Sequence, residues 1–173
     1  MSNDSKKIGL AVIGCGTIGR IRSSIARDYP GVEWIGLCDL NKDLGNKLAK
    51  DIKADYFTTD MSELLRRPEV NAAMILTDEN CHTEPTLLAI EHNHKIFVEK
   101  PLATDISESL SIINALKQNK VDACVGYTQR FRRRFLAIKE RISNGQIGDV
   151  HSVITRALMN RMVPIATISK TKN

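Results

Sequence analysis

The residues of this chain best suited to chemistry sit at the ends of short apolar runs. The first set is Gly14-Cys15-Gly16-Thr17-Ile18-Gly19, directly after the run Ile8–Ile13 and before helix-compatible sequence at residues 20–28. In a strand-turn-helix setting each glycine has its own task at a dinucleotide. Gly14 permits the tight turn, Gly16 lets the backbone approach a pyrophosphate, and Gly19 lets the helix pack closely on the strand. The N–H groups that open the helix, at Thr17, Ile18 and Gly19, then face the phosphates with the helix dipole behind them. A second apolar run, Val32–Cys38, ends in Asp39, twenty residues beyond Gly19. A carboxylate there accepts hydrogen bonds from adenosine ribose hydroxyls.

These residues need a scaffold that brings strand ends together, and the hydrophobic pattern supplies one. Residues 41–53 carry Leu44, Leu48 and Ile52 at helical spacing, and residues 55–57 read as a brief third strand. Asp60-Met61-Ser62-Glu63 has the spacing of a capping box, and Pro68 limits the helix it opens. Residues 70–76 form a nearly all-apolar fourth strand, as a parallel strand covered on both faces requires. A helix over 82–92, a fifth strand at Lys95–Val98, a capped helix over 105–118 and a sixth strand over 121–125 follow. Alternating strands and helices predict an α/β fold, a doubly wound parallel sheet of Rossmann type. Ligands of such sheets bind beyond the carboxyl ends of the strands, which places Gly14 to Gly19, Asp39, Thr77, His82, Glu99, Lys100, Pro101 and Tyr127 around one cleft.

Composition narrows the function classes. The 173 residues are 42% hydrophobic and 5% aromatic, enough for one aliphatic core, and the sequence shows neither repeats nor low complexity. No apolar stretch approaches the roughly 20 residues of a membrane span, and no signal-peptide pattern precedes the first strand, so a cytoplasmic location is expected. Cys15, Cys38, Cys81 and Cys124 lack metal-site or disulfide spacing and read as reduced thiols. His92 and His94 have no neighbouring ligand set, so no metal is expected. Residues 129–141 hold Arg130, Arg132, Arg133, Arg134, Lys139 and Arg141 against Glu140, the whole of the net charge of +5. Such a cluster could bind nucleic acid. The preferred reading is a solvated helix face whose Phe131, Phe135, Ile138 and Ile142 form a buried stripe.

With the fifth strand the chain resembles the N-terminal part of the glucose–fructose oxidoreductase / inositol dehydrogenase / MocA (Gfo/Idh/MocA) family. The residues that carry the resemblance are the glycine turn, Asp39, the helix opened by His82, Lys95-Ile96-Phe97-Val98-Glu99-Lys100-Pro101-Leu102, and Gly126-Tyr127 with Arg130-Phe131. Gly145-Gln146-Ile147-Gly148-Asp149-Val150 matches that family's entry into a second domain. The resemblance implies a nicotinamide-dependent oxidoreductase moving a hydride between a carbinol carbon of a sugar, cyclitol or other polyol and the nicotinamide ring. It places Lys100 beside the ring and the substrate hydroxyl, and Glu99 near the nicotinamide ribose. It also makes a cis Lys100–Pro101 bond a reasonable expectation. An ammonium there stabilises developing alkoxide charge, and burial would let it relay a proton. Asp39 followed by Leu40 favours NAD over NADP, because a carboxylate repels a 2′-phosphate.

Three features depart from the family pattern. Thr77-Asp78-Glu79 stands where a Thr-Pro-Asn-like turn is common, and Arg132-Arg133-Arg134 replaces a proline after Arg-Phe. The third is the end of the chain. Residues 1–148 are expected to form the dinucleotide-binding domain, and residues 149–173 only the start of a substrate and oligomerisation domain, with a strand over 150–154 and a tail without pattern. That strand has no sheet to join, so the region from about Ser152 is expected to be poorly ordered, or to pair with another copy or a complementing chain. The rival reading of the whole is a non-catalytic dinucleotide-sensing or partner-binding module.

Overall fold

The computed structural model describes residues 7–156 and residue 158. The chain divides into two compact units, Met1–Tyr127 and Thr128–Asn173.

In the first unit six parallel strands form one sheet in the order β3-β2-β1-β4-β5-β6. They are β1 (Ile8–Ile13), β2 (Val32–Cys38), β3 (Tyr56–Thr58), β4 (Ala72–Ile75), β5 (Lys95–Val98) and β6 (Ala123–Val125). The order reverses between β1 and β4, and this is the point where doubly wound sheets open their crevice. Helices α1 (Thr17–Arg27), α2 (Lys42–Ile52), α3 (Met61–Leu65), α4 (Thr83–Glu91) and α5 (Ile106–Asn119) connect the strands.

Period-two alternation along β1 divides the core. Ala11 and Ile13 join Leu64, Leu65, Ile75, Ile90, Val98 and Ile112 on the face covered by α3, α4 and α5. Leu10 and Val12 join Ile35, Leu37, Leu48 and Ile52 on the face covered by α1 and α2. On that second face Ala72, Met74 and Phe97 are only partly covered, and with Ile25 and Tyr29 they line an open groove beside α1. Asn41, Asp60 and Asp105 cap α2, α3 and α5, each accepting two backbone N–H groups. The acids three residues after the caps of α3 and α5 do not reach back to them: Glu63 accepts from the Tyr56 and Thr58 hydroxyls, and Glu108 accepts from Thr83.

The second unit has a short 3-10 turn (Thr128–Phe131) and helix α6 (Arg133–Ser143). Two expectations are corrected here. Phe131, Phe135, Ile138 and Ile142 are exposed, between 39% and 68%. The stripe has the spacing of one helix face, but its side chains are exposed. Residues 150–154 form no strand. Most of the tail after Arg156 lies outside the described residues. Among the described residues no helix is long and apolar enough to cross a membrane.

Candidate functional site

The site begins where β1 turns into α1. Gly14 has φ +101°, and a Cβ on it would lie 2.6 Å from the Leu76 carbonyl oxygen at the end of β4. A Cβ on Gly19 would lie 2.0 Å from the Gly14 carbonyl oxygen. Both glycines are therefore required by the chain's own packing. Gly16 differs: its φ of −64° suits any residue, and a Cβ there would meet nothing within 4 Å. Since the fold does not require a glycine there, the open space above Gly16 is room for something else. Gly16 is also the N-cap of α1, with no side chain capping it, so the N–H groups of Thr17 and Ile18 open toward that space. This is the cradle that a pyrophosphate needs.

Asp39 stands at the adjacent strand end. Its Oδ2 accepts the Cys15 N–H at 2.7 Å and its Oδ1 accepts the Asn41 N–H at 2.8 Å. The carboxylate thereby binds the glycine turn to the start of α2, and its remaining lone pairs are left for hydroxyl donors. The thiols beneath are not reactive groups. Burial, then the Asp39 charge, pushes the Cys15 thiol up to about 12, and the same two causes push Cys38 up to about 12.

Across the switch point, the ends of β4 and β5 are joined by His82. This ring is 1% exposed, with Nδ1 2.7 Å from the Pro101 carbonyl oxygen and Nε2 3.2 Å from the Thr77 carbonyl oxygen. Whichever nitrogen carries the proton donates to one of those carbonyls. His82 was expected among the cofactor contacts. A buried ring with both nitrogens facing backbone oxygens instead shapes the two loops that border the cleft. The Thr77 hydroxyl donates to the Cys81 carbonyl at 3.0 Å.

At the end of β5 the Lys100–Pro101 bond is cis, as expected. Lys100 is exposed, and its Nζ has no ion-pair partner among the described residues. What it offers the cleft is a free cation rather than a buried amine. Glu99, only 12% exposed at its side chain, accepts the Lys100 N–H at 3.1 Å through Oε2 and is ion-paired through Oε1 with Arg22 of α1. Its expected place at a ribose is thus shared with an arginine that none of the sequence motifs includes. Its spacing was a usable signal: Arg22 lies three residues beyond Gly19, one turn along a stripe of small buried residues, Gly19, Ser23 and Ala26.

His92 and His94 stack with ring centroids 5.9 Å apart, and the buried His94 uses Nε2 on the Leu65 carbonyl at 2.8 Å. No group of three or more potential metal ligands occurs among the described residues.

A turn that presents helix N–H groups, an acid at the neighbouring strand end and a lysine across the switch point define a nucleotide-binding α/β domain. The model of the oxidoreductase family with the NAD-binding Rossmann fold, Gfo/Idh/MocA, matches residues 8–127, and the chain belongs to that family. It is 34% identical over 147 residues to an inositol 2-dehydrogenase of Gluconacetobacter diazotrophicus, covering 83% of this chain and 43% of the relative. A scyllo-inositol 2-dehydrogenase (NAD(+)) of Bacillus subtilis is 29% identical over 143 residues, covering 82% and 42%. The crystal structure of scyllo-inositol dehydrogenase from Lactobacillus casei with bound NAD(H) and scyllo-inositol superposes with a TM-score of 0.78, covering 83% and 43%. At 20% identity that likeness establishes the fold alone. The chain spans a little under half the length of these relatives.

Proposed function

We propose that this chain supplies the NAD-binding part of a nicotinamide-dependent dehydrogenase acting on a cyclitol or related polyol. The observation that carries the reading is Gly16: the one glycine of the turn that packing does not require, set at an uncapped helix start beside Asp39. Thr17 and Ile18 would hold the pyrophosphate and Asp39 the adenosine ribose. Thr77, Glu99 and Pro101 would wall the nicotinamide end. When bound, the nicotinamide ring supplies hydride acceptance from, or return to, a carbinol carbon. Lys100 presents its ammonium to the oxygen on that carbon and stabilises the negative charge developing there. His82 acts on none of these groups; it keeps Thr77 and Pro101 in place. The cyclitol class is drawn from the names of the relatives.

Preference for NAD over NADP follows from Asp39. Its carboxylate is fixed by two backbone donors and cannot swing away from a 2′-phosphate, and the next residue, Leu40, is 89% exposed and offers no positive charge. Calorimetric titration with NAD⁺ and NADP⁺, with Asp39→Ala as control, tests the reading. Saturable binding that favours NAD⁺ and weakens in the variant is expected. Absence of binding by either nucleotide overturns it.

A further inference from the structure

Arg22 begins on one half of the site and ends on the other. It rises from the second turn of α1, the helix whose start faces the open cradle above Gly16. Its guanidinium crosses to β5, where Nε and Nη2 both donate to Oε1 of Glu99. The arginine lies over the Phe97 ring, with Cζ 4.8 Å from the centroid. Side-chain exposure is 23% for Arg22 and 12% for Glu99, so this pair is far less hydrated than a surface ion pair.

Glu99 is enclosed on its remaining sides. Oε2 accepts the Lys100 N–H at 3.1 Å, and a Cβ on Gly126 would come within 3.2 Å of Oε1. The carboxylate thus holds the backbone that carries the lysine, and Arg22 holds the carboxylate. Without Arg22, Glu99 would be a largely buried charge with one backbone donor, and it would turn toward water. The Lys100 N–H would then lose its acceptor.

We propose that Arg22 is a positioning residue for the nicotinamide half of the cleft. Through Glu99 it fixes the Glu99-Lys100-Pro101 turn to the helix that receives the pyrophosphate, so the lysine is set relative to the cofactor by α1. The ligand part of this inference rests on the function proposed above; the strap between Arg22 and the Lys100 amide does not.

The experiment compares NAD⁺ with ADP, which lacks the nicotinamide half, on wild type, Arg22→Met and Arg22→Lys. In parallel, amide hydrogen exchange is followed by NMR. Arg22→Met is expected to weaken NAD⁺ by about tenfold or more while leaving ADP within about twofold, and Arg22→Lys is expected to fall between. The Lys100 amide should exchange faster in Arg22→Met, while the Leu76 amide, bonded to the Ile13 carbonyl, keeps its protection.

Unchanged affinity for both ligands would make Arg22 a purely structural ion pair and overturn the proposal. Equal weakening of both would place its action at the phosphates and overturn it too. If Arg22→Met does not fold, Arg22→Lys with wild-type NAD⁺ affinity and wild-type exchange at Lys100 overturns the proposal. Wild type that binds neither nucleotide removes the functional reading and the cofactor role together. The Lys100 exchange rate then still decides whether the strap exists.

Discussion

The carboxylate of Asp39 accepts the backbone N–H of Cys15 at 2.7 Å, which bonds the acid at the end of β2 into the glycine turn. The pairing gives Asp39 an internal task beside the one toward a ligand that the proposed function assigns it. Asp39→Ala is expected to weaken NAD⁺ by about tenfold or more and to cost about 1–2 kcal/mol of stability, because two backbone donors lose their acceptor. Asp39→Asn keeps an oxygen for one of them and should recover most of the melting temperature, but not the preference for NAD⁺ over NADP⁺. Calorimetry with both nucleotides and thermal unfolding separate the two tasks. Retained preference in Asp39→Asn would argue against charge as the discriminator.

Two glycines two residues apart should behave oppositely. Gly14→Ala forces a Cβ at φ +101° against the Leu76 carbonyl and is expected to cost about 2–4 kcal/mol. Gly16→Ala should change stability by about 1 kcal/mol or less, since its Cβ meets nothing, yet weaken NAD⁺ by about tenfold or more. Thermal melts and titrations on the two variants check this. Equal loss of stability in both would contradict it.

Lys100→Met tests the chemistry apart from binding. Its ammonium has no ion-pair partner among the described residues, so the fold should not suffer. NAD⁺ affinity is expected to stay within about twofold, while any polyol-dependent NADH formation that the chain supports under the proposed function falls by about 100-fold or more. The absorbance of NADH across a polyol panel is the readout.

The four thiols should divide into two pairs. Cys15 and Cys38 are buried, with burial foremost among the causes that push each up to about 12, whereas Cys81 and Cys124 are exposed. At neutral pH, dithiobis(nitrobenzoate) is expected to label two thiols quickly and the other two only after denaturant is added. Peptide mapping of the fast pair should return Cys81 and Cys124.

Acid should weaken the fold through His94. Burial, foremost, holds its imidazole below the ordinary value of 6.5 despite the bond to the Leu65 carbonyl. As pH falls below 6.5 the unfolded chain takes up a proton at His94 and the folded chain does not, so unfolding becomes easier until the lowered native value is passed. Urea unfolding between pH 7.5 and about 5 measures the slope. His94→Asn should flatten it while costing some stability at every pH.

The strands were the most legible part of the sequence. β2 and β5 fall at the residues their apolar runs predict, and the parallel order follows from the alternation of strands with helices. The glycine turn and Asp39 could be placed because their spacing reflects backbone geometry, which sequence records directly. What escaped were side chains whose partners are remote in sequence. Arg22 and Glu99 are 77 residues apart, and His82 reaches Pro101 across a whole strand. The place of Arg22 on α1 is a local signal, but nothing local names its partner. The stripe on α6 was misjudged for a related reason: periodicity tells which face is apolar, and says nothing of whether a surface covers it.

Strand β1 has one further consequence, for the order in which the protein is made. It pairs with β2 on one side and with β4 on the other, Leu10 lying beside both Ile35 and Ala72. A chain emerging from the ribosome can complete the first pairing early. The second edge, Leu10 to Ile13, stays open until β4 has been synthesised. Through that interval the most apolar strand of the sheet presents unsatisfied backbone to the cell, which makes the nascent first half the stage at which a chaperone has most to offer.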